Sequence, residues 1–342
     1  MALRRSKMLF LLALVIAALA VVAAGCGGGS DEESSDTAAA TTEPAPAEEA
    51  TEEASGTVSG SIEIDGSSTV GPLSTAAAEL FQAENPDAVV TVGISGTGGG
   101  FERFCVGETD ISDASRPIAD DEVAICAENG IEYIELPVAT DALTVVVNSE
   151  NDWASCLTVE QLNTMWGPEA EGQTTNWNQV DPSFPDQELV LAGPGTDSGT
   201  FDYFTDVVNG EEGASRADFT ASEDDNIIVQ AVQGETGGLG YFGFTYYEEN
   251  QDTLKAVEID GGSGCVAPSA ETARDGSYVP LARPLFIYVN TAKLAENPAL
   301  APFAQFYLDN IDSIAETALY IPPSEEQKAE ALSTFEAATG AR

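Results

Sequence analysis

The sequence contains no histidine and few basic residues: 12 Lys and Arg stand against 58 Asp and Glu, a formal net charge of −46 at pH 7. Without histidine, a Ser-His-Asp hydrolase lacks its usual base and a zinc site lacks its commonest ligand. The shortage of Lys and Arg argues against a nucleic-acid partner, because a phosphate backbone requires positive charge. The acidic runs "DEESSD" and "SEDDN" lack the ligand spacing of a calcium loop. We therefore expect no metal and no cofactor.

Cysteine is also scarce, with five in the chain and no C-x-x-C spacing. Four of them follow Cys26, and an even number in an exported chain predicts two disulfides. Spacing alone allows three pairings. We favour Cys105–Cys126 and Cys156–Cys265, because the first two cysteines are close in sequence.

The first residues are typical of an export signal. Arg4, Arg5 and Lys7 precede an apolar run, Met8–Ala24, which ends at "AAGC". A basic start, an apolar centre and small residues before a cysteine indicate a lipoprotein signal peptide over residues 1–25, with Cys26 as the lipidated first residue. The alternative is a transmembrane anchor, since the run is almost long enough to span a bilayer. In both cases the rest of the chain lies outside the cytoplasm, at the outer face of the membrane.

Residues 26–59 are rich in Gly, Ser, Thr, Ala, Glu and Pro and contain no aromatic residue. Such a composition buries too little apolar surface to offset the entropy of ordering, so the segment is predicted to be a disordered acidic tether. The chain from Gly60 onward is too long for one ordinary domain and suits two.

Short apolar strands alternate with helical patterns along this region, which favours an α/β fold. Residues 61–65 alternate like a strand, and residues 88–94 form the next one. Between them, apolar residues recur at helical spacing, and Pro72 is placed for a first helical turn.

Four junctions between a strand and a helix carry small or hydroxyl residues, at 66–72, 95–100, 114–118 and 193–200. Ligands of open α/β sheets bind at such loops, where helix starts offer unpaired backbone N–H groups and the positive end of the helix dipole. One such loop usually means only a tight turn, but four in one chain indicate an anion site. The large negative charge does not exclude an anion, because salt screens a diffuse field beyond about 8 Å. Hydrogen bonds to an ionised group act at about 2.8 Å.

Taken together, the blocks "IDGSSTVGP", "GETDISDASRPI", "DALTVVVN", "GPGTDSGTFDYF", "LGYFGFTYY" and "RPLFIYVN" resemble the phosphate-binding proteins of Pst-type phosphate ABC transporters. The likeness runs from about Ser61 to about Leu332 and is strongest to the SphX-like branch. It implies a type II periplasmic-binding-protein fold, in which two α/β lobes are joined by two crossover strands. The crossings are expected near 136–141 and 278–283. Lobe I would comprise residues 60–140 and 281–342, and lobe II residues 141–280.

The resemblance also implies which residues bind the ligand: Thr69, Val70, Ser95, Thr97, Arg116, Ser198, Gly199 and Thr200. Thr69 and Val70 would donate from the first helix start. Thr97 matches the family's ligand serine when the run is aligned from its glycines, and Ser95 is the alternative.

One departure from the family pattern concerns charge. The best-known members have an Asp after "AS" and an Arg that opens the segment before "SGT", whereas this chain has Arg116 and Pro194 there. Arg116 is thus predicted to bind the anion, with a salt bridge to an acid as the alternative; Arg103 and Arg283 are expected to be structural. Without the usual Asp, another carboxylate must accept the proton of phosphate. Asp197 is the first candidate, although it also suits a helix cap, and the others are Asp65, Asp113 and Asp141.

The leading hypothesis is a monomeric, non-enzymatic receptor that binds inorganic phosphate and delivers it to an ABC permease. One alternative keeps the fold and changes the ligand to sulfate, molybdate or an organophosphate. Another is a secreted serine hydrolase that uses Ser198, but "GTDSGT" lacks the G-x-S-x-G elbow. A third is an acidic surface lipoprotein with a vestigial cleft.

Overall fold

A computed structural model of the chain describes residues 58–196 and 198–340. The predicted signal peptide, Cys26, residues 27–57 of the tether and Asp197 lie outside the described residues.

The described residues alternate between strands and helices, which confirms the α/β class. The strands are β1 (Gly60–Gly66), β2 (Ala88–Ile94), β3 (Ile111–Ala114), β4 (Tyr133–Asn148), β5 (Cys156–Thr158), β6 (Val190–Gly193), β7 (Thr220–Ala221), β8 (Gly238–Gly243), β9 (Leu254–Ala256), β10 (Glu258–Asp260), β11 (Cys265–Val266) and β12 (Ala282–Asn290).

The α-helices are α1 (Gly71–Glu84), α2 (Gly96–Phe104), α3 (Asp120–Glu128), α4 (Val159–Trp166), α5 (Trp177–Val180), α6 (Gly199–Phe204), α7 (Asp225–Gly234), α8 (Phe244–Asn250), α9 (Ala270–Arg274), α10 (Thr291–Glu296), α11 (Leu300–Asp309), α12 (Ile311–Thr317) and α13 (Glu325–Thr339). A short 3-10 helix (Pro168–Ala170) follows α4, and a π-helical turn (Thr205–Asn209) follows α6.

The main sheet has nine strands in the order β2-β1-β3-β12-β4-β8-β6-β7, with β9 also paired to β4. Strands β1, β2 and β3 are parallel, so their carboxyl ends and the loops that follow lie at one edge. β12 is antiparallel to both β3 and β4. A second sheet of three strands has the order β11-β10-β5.

β4 lies inside the main sheet and pairs with strands of both halves. Its residues 133–142 pair with β12, and residues 143–147 pair with β8. The first predicted crossing, 136–141, lies within this strand. The second, 278–283, covers the segment that leads into β12.

Two large hydrophobic clusters flank this strand. The first contains Leu73 and Phe81 of α1 and Phe303 of α11. The second contains Trp166 and Trp177, both fully buried. The elements on the β1–β3 side and those on the β6–β8 side therefore each have their own core, as expected for two lobes.

Both favoured disulfides are confirmed. Cys105 is bonded to Cys126, and Cys156 is bonded to Cys265, with sequence separations of 21 and 109 residues. Within the described ranges, none of the helices is both long and apolar enough to cross a membrane.

Candidate functional site

One cleft of about 570 Å³ brings the four predicted loops together. It is lined by Ser67, Ser68, Thr69, Gly96, Thr97, Gly98, Ser115, Arg116, Gly199, Asp202, Tyr203, Asp206, Val207, Glu212 and Arg283. Each of the junctions 66–72, 95–100, 114–118 and 193–200 contributes at least one residue. The predicted convergence of these loops is confirmed.

The first loop is fixed to the neighbouring strand. Gly66 has φ +146°, and a Cβ there would lie 2.1 Å from the carbonyl oxygen of Asp113 on β3. That same oxygen accepts a hydrogen bond from the Ser67 N–H at 2.9 Å. The Ser67 hydroxyl then accepts from the Thr69 N–H at 3.2 Å. This chain of bonds holds Thr69 at the start of α1, facing the cleft.

Val70 has a different role from Thr69. It is fully buried in the first hydrophobic cluster and precedes α1 without a side-chain cap. Its side chain therefore anchors the start of the helix and does not line the cleft.

The second loop distinguishes the two alternatives for the ligand hydroxyl. Thr97 lines the cleft, and its Oγ1 lies 3.1 Å from Ser115 Oγ and accepts from the Ser115 N–H at 3.2 Å. Ser95 is exposed and does not line the cleft; a Cβ at Gly99 would lie 2.9 Å from its Oγ. The geometry favours Thr97. Ser115, which was not predicted from the sequence, joins it as a second hydroxyl.

The fourth loop contributes the start of α6. Ser198 caps this helix, since its Oγ accepts a hydrogen bond from the Thr200 N–H at 3.2 Å. Gly199 lines the cleft, and a Cβ there would lie 3.8 Å from Thr69 Oγ1. Ser198 and Thr200 do not line it, so α6 presents Gly199 to the first loop.

Arg116 lines the cleft but is already paired. Its Nη1 and Nη2 donate to the two carboxylate oxygens of Glu122, each at 2.8 Å, and Nη1 also donates to the Pro117 carbonyl at 3.1 Å. The hydrogen bond to Glu122 is the main reason that the pKa of Arg116 is raised. The salt bridge considered as an alternative is therefore present, in a side chain that also faces the cleft.

Arg283, predicted from the sequence to be structural, is a second arginine of the cleft. Its Nη2 donates to Thr69 Oγ1 at 2.9 Å, and its Nε donates to Asp141 Oδ2 at 3.2 Å. Its Cζ lies 3.7 Å from the centre of the Tyr203 ring, a cation–π contact. The available signal was that Arg283 and Asp141 each fall within a predicted crossing segment.

Three carboxylates also line the cleft: Asp202, Asp206 and Glu212. Desolvation and the nearby charge of Glu212 raise the pKa of Asp202, while Arg283 opposes this effect. These carboxylates give the cleft lining hydrogen-bond acceptors beside its donors. None of these three residues was predicted from the sequence.

The other predicted acceptors lie outside the cleft lining. Asp65 is buried and forms an ion pair with Arg103, and Asp141 pairs with Arg283. Asp113 is fully buried beneath the first loop, where its Oδ1 accepts from Ser74 Oγ at 2.8 Å. Burial raises the pKa of Asp113 to about 7.

Comparison with known proteins supports one family. A family model of the PBP superfamily domain matches residues 51–310. The chain is 53% identical over 266 residues to Protein SphX of Synechocystis sp., covering 78% of this chain and 79% of that protein. It is 42% identical over 268 residues to the phosphate-binding protein PstS of Staphylococcus saprophyticus, covering 78% and 82% respectively.

A solved structure agrees with this assignment. The crystal structure of a possible phosphate binding protein from Planctomyces limnophilus superposes with a TM-score of 0.79 at 45% identity, covering 82% of this chain and 99% of that one. The predicted fold class, a type II periplasmic-binding-protein fold, is confirmed. The chain belongs to the PBP superfamily and, within it, to the family of SphX and PstS phosphate-binding proteins.

Proposed function

We propose that this chain is an extracytoplasmic receptor that binds inorganic phosphate in the cleft and delivers it to an ABC permease. One observation carries the proposal: the Thr69 and Thr97 hydroxyls, the start of α6 at Gly199 and the guanidinium of Arg283 all face the same cleft. Hydroxyls, helix starts and arginine are the groups that bind tetrahedral oxyanions. The names of the related proteins point to the same ligand.

The strength of binding is compatible with this small set of donors. A hydrogen bond to a charged group contributes about 1.5–3 kcal/mol, and a micromolar dissociation constant needs about 8 kcal/mol. A handful of aligned donors is therefore sufficient, even on a strongly acidic protein.

The acidic wall favours phosphate over other oxyanions. Phosphate keeps at least one proton near neutral pH and can donate it to a carboxylate such as Asp202. Sulfate has no proton there, so it would place unpaired negative charge against Asp202, Asp206 and Glu212. Asp197, outside the described residues, remains a further candidate acceptor.

Titration calorimetry on the chain from Cys26 onward tests the ligand. We expect phosphate to bind with a stoichiometry of one, and equal concentrations of sulfate or molybdate to compete weakly. Tight sulfate binding at neutral pH would overturn the ligand assignment, and no heat with any oxyanion would overturn the receptor function. Replacing Thr97 by valine, which removes the hydroxyl and keeps the shape, should weaken phosphate binding more than replacing Ser95 by alanine.

The anchoring of the receptor is part of the same proposal. Cys26 would carry the lipid, and residues 26–59 would tether a monomeric receptor to the outer face of the membrane. Residues 60–140 with 281–342, and residues 141–280, would form the lobes that close on phosphate. In the unchanged protein the peptide that begins at Cys26 should carry the added mass of a lipid, and in a Cys26→Ala variant no such mass should appear; an unmodified Cys26 in the membrane-bound protein would contradict lipidation.

A further inference from the structure

Arg283 stands where the two sides of the cleft meet. On β12 it pairs in register with Asp141 on β4. Its guanidinium contacts Thr69, next to Val70 of the first hydrophobic cluster, and Tyr203, which belongs to the second cluster. Arg283, on one crossing segment, is thus in contact with the first loop, α6 and the other crossing strand.

The hydrogen bonds of Arg283 leave donors for a ligand. Nε donates to Asp141, and Nη2 donates one hydrogen to Thr69. For Nη1 and for the second hydrogen of Nη2, the described part of the chain provides no acceptor within hydrogen-bonding distance. A guanidinium binds a phosphate through two adjacent N–H groups, and these are the groups that remain.

Arg116 is held differently, and in the described part of the chain only its Nε–H and one Nη2–H lack an acceptor. Both of its terminal nitrogens are bound to Glu122 in a bidentate pair at 2.8 Å. A ligand that bound Arg116 end-on, through both terminal nitrogens, would have to break that pair. Asp141, in contrast, holds Arg283 through Nε alone, at 3.2 Å, and leaves the forked end free.

Building on the proposed function, we propose that Arg283 is the guanidinium that binds the anion, with Asp141 and Tyr203 as its positioning residues. Asp141 fixes the direction of the side chain through Nε. Tyr203 supports its flat face and is itself held by a hydrogen bond from its hydroxyl to the Pro280 carbonyl at 2.7 Å. Thr69 and Tyr203 come from opposite sides of the cleft, and Arg283 contacts both. An anion bound to Arg283 and Thr69 would therefore connect the two sides through Arg283.

The test compares variants that remove one positive charge each, by phosphate calorimetry at fixed ionic strength. Arg283→Met should weaken phosphate binding by at least about 30-fold, because each charged hydrogen bond is worth roughly tenfold or more. Arg116→Met should weaken it by less than about fivefold. Lys328→Met removes the same charge on α13, away from the cleft, and controls for the change in the overall field.

A second set of variants keeps the test valid if Arg283→Met folds poorly, as judged by circular dichroism and thermal melting. Arg283→Lys keeps the charge without the fork and should lose roughly tenfold. Tyr203→Phe keeps the ring and loses only the hydroxyl bond to Pro280, so it should weaken binding less than Tyr203→Leu, which also removes the ring and should lose about fivefold. Rescue by phenylalanine separates positioning by the ring from a general loss of structure.

These measurements distinguish failure of the Arg283 assignment from failure of the proposed phosphate-receptor function. If the unchanged protein binds phosphate and both Arg283 variants bind it within threefold, the inference is overturned and the proposed function stands. If Arg116→Met causes the larger loss, Arg116 is the ligand-binding cation and the inference is overturned. If the unchanged protein binds no phosphate, the proposed function fails first, and the assignment of Arg283 fails with it.

Discussion

Replacing Gly66 by alanine tests how the first loop of the cleft is held in place. A Cβ at this position would lie 2.1 Å from the carbonyl oxygen of Asp113 and 2.9 Å from its backbone nitrogen. Both are backbone atoms of β3, which is paired on both sides, so they cannot move away as a flexible side chain can. The backbone φ of +146° also belongs to a region that residues with a side chain rarely adopt.

The expected loss of stability follows from two terms. The unfavourable backbone conformation costs about 1–3 kcal/mol. Moving the loop away from Asp113 also breaks the hydrogen bond from the Ser67 N–H, worth about 0.5–1.5 kcal/mol. We therefore expect Gly66→Ala to lower the free energy of unfolding by about 2–4 kcal/mol. Because Thr69 is held through Ser67, phosphate binding should weaken by at least about tenfold, equivalent to 1.4 kcal/mol.

Urea unfolding and phosphate calorimetry would measure these effects, with Gly98→Ala as the control for unfolding. Gly98 lies in α2 on the same cleft, and a Cβ there meets no atom within 4 Å. Alanine at an open helical position is neutral or stabilises by up to about 1 kcal/mol. If the two variants unfolded at the same urea concentration, the close contact between Gly66 and Asp113 would not be what fixes the loop.

Three further predictions concern the rest of the molecule. Replacing Cys156 and Cys265 by alanine should lower the free energy of unfolding by about 5 kcal/mol, because this bridge closes a loop of 109 residues. Replacing Cys105 and Cys126, whose bridge closes a loop of 21 residues, should lower it by about 3 kcal/mol. Urea unfolding measures both losses, and the reverse order would contradict the prediction. The stability that Asp113 contributes should be present in full below about pH 4 and lost as the pH rises through about 7, since the folded state holds its proton longer than the unfolded chain does. Each unit of this pKa difference is worth about 1.4 kcal/mol. As the pH rises from 5 to 8, the free energy of unfolding of Asp113→Asn should therefore increase relative to that of the unchanged protein. If the difference between the two proteins stayed constant with pH, the raised pKa of Asp113 would be contradicted. Moderate salt should speed phosphate association in stopped-flow experiments, because it screens the repulsion from a net charge of −46, and rates that fall steeply with salt would contradict this.

Local patterns predicted the elements and loops well. β2 was predicted over residues 88–94 and is observed as Ala88–Ile94, and Pro72 lies in the first turn of α1 as expected. Alternation and proline act over a few neighbouring residues, so the sequence carries this information directly. The meeting of the first three loops was also predictable, because β1, β2 and β3 are parallel and end at a common edge of the sheet. β6, which precedes the fourth loop, runs in the opposite direction, so this rule did not predict that its loop joins the same cleft.

The arginines show where such reasoning fails. Glu122, the partner of Arg116, is six residues away and reaches back to the Ala119 N–H at the start of α3, so a local signal for this salt bridge existed. The position of Arg283 depends on pairing with Asp141, 142 residues earlier in the chain. Which residues of two distant strands face each other is set by the register of the whole sheet, which composition and spacing do not reveal.

The sixteen-residue strand β4 has a consequence for dissecting the protein. Residues 133–142 complete the ladder with β12, and the next five residues complete the ladder with β8. Cutting the chain near residue 140 would leave unpaired backbone N–H and C=O groups at a strand edge in each fragment. Such unpaired edges promote aggregation. We expect neither half to fold when expressed alone, and the intact protein to melt in a single transition rather than one half at a time.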